Sequence, residues 1–333
     1  MSIISRKPRL FEDHTIPTDG DELLFAKLMM PRPPMQAQRV VLIVPLVGAA
    51  AGQQLMTFRN FSRRGAIVIS YEYSGHPQST GAFELDKTIV DTHHALLWAS
   101  NYANERGLPL HGFATCYGTI PLLAQFKEGA RGRLLRSVTT ISGLYRLHKL
   151  LSIEDFAPII SRYLGQDLDA NSLVKGLAEE TLDCRGLPFR EALRDYLAML
   201  MPELRVELDY FEELKYDRVN MRQTLLQFAH GDYLSGVKIP TWIPCTACIG
   251  HQDNLLSTHT SAGREIYKKD VSSIVPHATV HEFDMDHYGF GPGRDPVIKC
   301  AGDAFERADT FHIPPHHFNS SVSHSVNLRS LPR

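Results

Sequence analysis

Apolar runs and amphipathic stretches alternate along this chain, and the alternation predicts its elements. Arg39–Val47 (RVVLIVPLV) is short, rich in β-branched residues and stopped by Gly48, the pattern of a strand buried on both faces. Gln53–Arg64 reads as a short helix closed by Gly65, and Ala66–Tyr73 (AIVISYEY) as a second strand. Ser74–Gly81 (SGHPQSTG) has loop chemistry. Leu85, Ile89, Leu96 and Leu97 are placed on one face of a helix that runs to about Glu105, with Gly107 as its stop. Leu110–Thr115 is a third strand, Tyr117–Lys127 the helix after it, and Leu134–Ile141 a fourth strand. The rhythm resumes at Ile239–Ile249 and Ala278–Phe283 and closes with a helix over Pro296–Ala308. Strand and helix in this order imply an α/β fold, a mostly parallel central sheet with helices on both faces.

Between about Tyr145 and Tyr233 the texture changes. The run EALRDYLAMLMPELRVELDYFEELKYDRVNMRQTLLQF has helical period and little strand character, so it is expected to be a helical insertion. The expected organisation is a core over 1–143 and 237–310, a helical cap over 144–236, and an extended or disordered tail over 311–333. Apolar stripes of this kind are more often packing surface than ligand box, although a cap over an active site needs similar residues. The tail is rich in Pro, Ser and His without periodicity. His312, His316, His317 and His324 have no acidic or cysteine partner there at ligand spacing, and a solvated tail is the expectation.

Composition removes several function classes. Lys and Arg number 35 against 37 Asp and Glu, which leaves no basic excess for nucleic acid or an anionic membrane surface. No apolar run is long enough to span a bilayer, and the N-terminal stretch lacks a secretory pattern. Five cysteines in 333 residues argue against a disulfide framework, so a reducing cytoplasm is the expected compartment.

The candidate chemistry lies in HGFATCYGTIPLL (His111–Leu123). A strand ends at Thr115, Cys116 occupies the turn, and a helix begins at once. Ala114 and Gly118 flank Cys116 at minus two and plus two, where a sharp strand-to-helix turn admits only small residues. Such a turn pushes its central side chain out over the strand ends, at a helix N-terminus that favours a thiolate. The Tyr117 N–H would face a developing oxyanion. Free cysteine is also a common small core residue, and this pattern alone is weak. The order of the partners strengthens it. Asp253 lies in the loop after the Ile239–Ile249 strand, and His287 in the loop after the next one (FDMDHYG, Phe283–Gly289). Nucleophile, acid, histidine is an order in which His287 takes the thiol proton and Asp253 sets its tautomer. His251, His277 and His281 do not follow the last strand and are weaker candidates.

Pro45–Gly48, Tyr71–Gly81 (YEYSGHPQSTG), the Cys116 elbow, the Asp253 loop and His287 together resemble the α/β-hydrolase superfamily over roughly residues 20–143 and 237–308. Within it, the chain is most similar to the acyl-carrier-protein thioesterase/acyltransferase family of bacterial bioluminescence, in the run through STG (Ser79–Gly81), the elbow position and the size of the cap. The resemblance implies Val47 as the second oxyanion amide, on a loop that reads PLVGAAAG rather than a His-Gly motif. It also expects serine where this chain has Cys116. Cysteine elbows occur in the similar dienelactone hydrolases, polyhydroxyalkanoate synthases and Dieckmann-type cyclases.

A thiolate exchanges readily with a thioester and leaves an acyl-enzyme poised for an acceptor. The leading expectation is therefore acyl transfer from a carrier-protein- or CoA-bound thioester to a small-molecule acceptor in specialised metabolism. Dieckmann-type cyclisation that releases a carrier-bound chain, hydrolysis of a thioester or lactone, and a non-catalytic scaffold are the alternatives. A scaffold need not bring Cys116, His287 and Asp253 together. No nicotinamide, flavin or metal motif occurs, so no cofactor is implied. Cys245 and Cys248 form a C-x-x-C within a predicted strand; three apart, they point to opposite faces and are expected to pack. Cys184 and Cys300 are read in helical contexts without a visible partner.

Overall fold

The computed structural model describes residues 10–127, 132–147, 152–184, 186–200, 218–287 and 292–310. The expected tail over 311–333 with its histidines, and part of the expected insertion over 144–236, lie outside the described residues. Eight strands form one sheet: β1 (Phe11–Pro17), β2 (Leu23–Met29), β3 (Arg39–Val44), β4 (Ala66–Tyr71), β5 (Leu110–Thr115), β6 (Val138–Ile141), β7 (Cys245–Gly250) and β8 (Thr279–Phe283). Their order is β1-β2-β4-β3-β5-β6-β7-β8. β2 runs antiparallel to β1 and β4, and all pairs from β4 to β8 are parallel. The parallel strands therefore all release their carboxyl ends on one edge, where β5, β7 and β8 deliver the residues singled out above.

Alternation along the strands divides the core into two faces. Val41, Ile43, Val68, Phe113 and Cys248 pack with α1 (Ala51–Thr57), α2 (Asn60–Arg63) and the last helix, α10 (Arg294–Thr310). Val40, Leu42, Ile69, Ala114 and Ile249 face α3 (Leu85–Asn104), α4 (Thr119–Ala124) and α9 (Ser261–Ile274). Cys245 belongs to this second cluster, so it and Cys248 do sit on opposite faces.

Between β6 and β7 the chain forms α5 (Ile153–Leu164), α6 (Ala170–Ala178), α7 (Phe189–Leu200) and α8 (Met221–His230). Local chemistry sets their limits. Ser152 and Asp169 accept backbone N–H groups at the starts of α5 and α6, and Gly165, at φ 64°, ends α5 in the left-handed conformation. Phe156 stacks on Tyr196 at 4.2 Å and on Phe228 at 5.2 Å, which ties three of these helices through one aromatic column. Cys184, read in a helical context, instead lies buried in the connection between α6 and α7.

Several expected elements are shorter than the sequence suggests. β3 stops at Val44 because Pro45 has no N–H for the ladder, and Pro240 and Pro244 likewise hold 239–244 out of β7. The fourth predicted strand shrinks to β6, since Gly132–Leu134 forms a single tight turn. Gln53–Arg64 is two helices rather than one. Leu97 is exposed, not on the inner face of α3. The buried stripe of that helix includes Thr88, Asp91 and Thr92 instead. These are satisfied by Tyr117 at 2.8 Å, by the Ser74 N–H at 2.8 Å and by Tyr71 at 2.6 Å respectively, so polar residues replace the expected leucine.

Candidate active site

Cys116 follows the last residue of β5 directly and opens a single turn, Cys116–Gly118, that leads into α4. Thr115 is extended, with φ −125° and ψ 148°, and Cys116 turns abruptly to φ 48°. A cysteine in the left-handed region is strained by its Cβ, and such strain persists only where the surroundings hold it. The surroundings do so here. A Cβ on Gly118 would lie 2.4 Å from the Val44 carbonyl oxygen and 2.8 Å from that of Pro45. Glycine at plus two is thus what lets the turn lie against the end of β3, which accounts for the small residue in the sequence pattern.

Asp253 and His287 arrive on two loops that pack on each other. A Cβ on Gly250 would meet the Met285 carbonyl oxygen at 2.2 Å, so the loop after β8 crosses directly over the end of β7. Gln252 N–H donates to the Met285 carbonyl at 3.0 Å, and His251 N–H to the Phe283 carbonyl at 2.7 Å. This brings Asp253 Oδ2 to 2.9 Å from His287 Nδ1, while Oδ1 accepts the Leu256 N–H at 2.9 Å. Both side chains are buried. The Cys116 sulfur lies close enough to act on the imidazole electrostatically. Burial works against a charged imidazole, but the Asp253 charge, the Cys116 sulfur and the hydrogen bond to Asp253 hold the His287 pKa well above its usual value. Cys116, His287 and Asp253 therefore converge, and the rival histidines do not. His251 pairs with Glu282 at 2.8 Å on the surface, His277 bonds the Ile243 carbonyl at 3.0 Å, and His281 sits within β8.

Of the amides chosen from the sequence, that of Tyr117 lies within the elbow turn itself. The Tyr117 phenol turns away to Thr88, at 2.8 Å, and leaves its N–H at the turn. Val47 lies in the turn after β3, closed by an Ala49 N–H to Leu46 carbonyl bond of 3.2 Å. Among the described residues no hydrogen bond engages either the Val47 or the Tyr117 N–H.

Sequence reasoning did not single out the residues that hold the Val47 loop. Gly48 N–H donates to His76 Nε2 at 2.9 Å. The buried Glu72 carboxylate accepts the Ala51 N–H at 3.2 Å and the Gln78 N–H at 3.1 Å. Tyr73 donates its hydroxyl to the Pro45 carbonyl at 2.7 Å. All three come from the Tyr71–Gly81 loop, so that loop clamps the one beside the elbow. The available signal was an acid and a histidine in an otherwise small, polar loop flanked by apolar strands.

Strand order, antiparallel β2, an elbow after β5 and the loops after β7 and β8 define the α/β-hydrolase fold. Solved structures agree at this level. A lipase in its open form superposes with a TM-score of 0.64 at 15% identity, covering 90% of this chain and 100% of that one. A highly thermostable carboxyl esterase from Bacillus coagulans gives 0.58 at 15% identity, covering 90% and 99%. The enol-lactonase from Burkholderia xenovorans LB400 gives 0.57 at 14% identity, covering 88% and 100%. No family model matches this chain, and no curated protein does. Among the described residues no helix is long and apolar enough to cross a membrane.

Proposed function

We propose that the protein is an acyltransferase that works through a thioester on Cys116. Its donor is an acyl thioester on a carrier protein or on CoA, and its acceptor is a small molecule. The observation that carries this reading is a cysteine, not a serine, at the strained elbow, beside a histidine that Asp253 orients. A non-catalytic scaffold has no need of that convergence.

In this reading His287 takes the Cys116 proton, and the thiolate attacks the acyl carbonyl carbon. The Tyr117 and Val47 N–H groups bind the oxygen as it gains charge. Collapse breaks the bond to the leaving sulfur, which receives the proton from His287. Asp253 holds the imidazole with Nδ1 turned inward and balances its charge throughout. The acceptor then loses its proton to His287, attacks the Cys116 thioester and carries the acyl group away. The raised His287 pKa supports this assignment, because an imidazolium is the partner that a thiolate nucleophile requires.

Hydrolysis is the second reading. The lipase, carboxyl esterase and enol-lactonase names support it, since each points to an ester or lactone substrate. The two readings part in one experiment. Incubation with a panel of acyl thioesters should add the acyl mass to Cys116, and acceptors should then yield transferred product over free acid. Cys116→Ser should lower activity steeply and shift the remainder toward free acid, since an oxyester is a poorer acyl donor. If wild type and Cys116→Ser both release chiefly free acid at similar rates, hydrolysis is the correct reading.

A further inference from the structure

We propose that Cys248 and Cys300 form a reversible disulfide site, closed by a small-molecule disulfide such as glutathione disulfide, that ties β7 to α10. The sequence separates these cysteines widely, but the fold brings them together. Cys248 lies fully buried on β7 in the cluster built by Val297, Ile298, Ala301 and Phe305 of α10, and Cys300 packs against that cluster from the helix. Both are free thiols, and each sulfur is near enough to perturb the other's ionisation. Cys300 is half-buried and so reachable from solvent, while Cys248 is not.

This asymmetry is what thiol–disulfide exchange needs: an accessible attacking thiol backed by a buried resolving one. The neighbouring Cys248 thiol pulls the Cys300 thiol down to about 7 against its partial burial, with Arg307 and Lys299 adding to the effect and Asp303 opposing it. The same pairing and burial push Cys248 up, so it acts second. Cys300 thiolate attacks one sulfur of glutathione disulfide, whose S–S bond breaks to release one glutathione thiolate. Cys248 then loses its proton to that thiolate and attacks the Cys300 sulfur. The mixed disulfide breaks and expels the second glutathione, which leaves protonated. Two protein thiols are oxidised, and one glutathione disulfide is reduced to two thiols.

The cross-link joins two segments that frame the candidate active site. β7 leads within a few residues to Asp253, and α10 follows the His287 loop. The test uses the full chain carrying Cys116→Ser, so that the elbow thiol takes no part, and it reads chemistry rather than activity. After native incubation with glutathione disulfide, unfolding in alkylating reagent and peptide mapping should find the Cys248 and Cys300 peptides joined, with the loss of two hydrogens. Dithiothreitol should reverse this. Oxidation should also raise Tm by several degrees, and adding Cys300→Ser should abolish both effects. Recovery of Cys248 as its alkylated thiol, with Cys300 either alkylated or carrying glutathione alone, would overturn the proposal.

Discussion

His76 Nε2 accepts the Gly48 N–H at 2.9 Å, so one buried imidazole grips the residue next to Val47. The bond requires Nε2 to be unprotonated, which places the neutral ring's proton on Nδ1, toward the Ser74 carbonyl. A ring that pins the neighbour of the amide proposed as an oxyanion donor would act on the transition state through geometry. His76→Ala should therefore lower kcat about tenfold to a hundredfold with KM little changed, less than the loss of an oxyanion donor itself. The measurement is steady-state kinetics on a thioester substrate, with Tm followed in parallel. An unchanged kcat in a folded variant would remove His76 from this role.

The His287 pKa also predicts a stability profile. Its folded value lies above the unfolded one, near 6.5, so its contacts with Asp253 and Cys116 stabilise the fold fully below about pH 6.5. That contribution is lost as pH rises through the folded value. The Tm difference between wild type and His287→Gln should thus be largest in mildly acidic buffer and shrink in alkaline buffer. A difference independent of pH would mean that the imidazolium is not favoured by folding.

The strained elbow makes a prediction of opposite sign for stability and activity. Cys116 holds φ 48° against its own Cβ, a cost of about 1 kcal/mol that glycine does not carry. Cys116→Gly should abolish turnover yet raise thermal stability relative to Cys116→Ala, which keeps the Cβ. Calorimetry of the two variants compares them directly. Equal stabilities would show that the turn stores no strain at this position.

The α/β class, the elbow, the chain order of Cys116, Asp253 and His287, and the parallel strands from Arg39 onward were legible in the sequence by themselves. Each rests on local signals: β-branched runs, a small-x-Cys-x-small turn, and loops placed at strand ends. The edge hairpin was not legible. β1 reads FEDHTIP, a polar edge strand whose exposed residues carry no apolar run, and it exists because β2 offers it a ladder. Nor could the chain disclose that Thr88, Asp91 and Thr92 line the inner face of α3, since their partners come from other elements. The His76–Gly48 clamp and the meeting of Cys248 with Cys300 belong to the same class. Sequence patterns report which face of an element is apolar, because that is set by periodicity within the element. Which polar or sulfur atoms meet across elements is decided only when the sheet closes, because packing then matches each buried polar group to a partner far away in the chain.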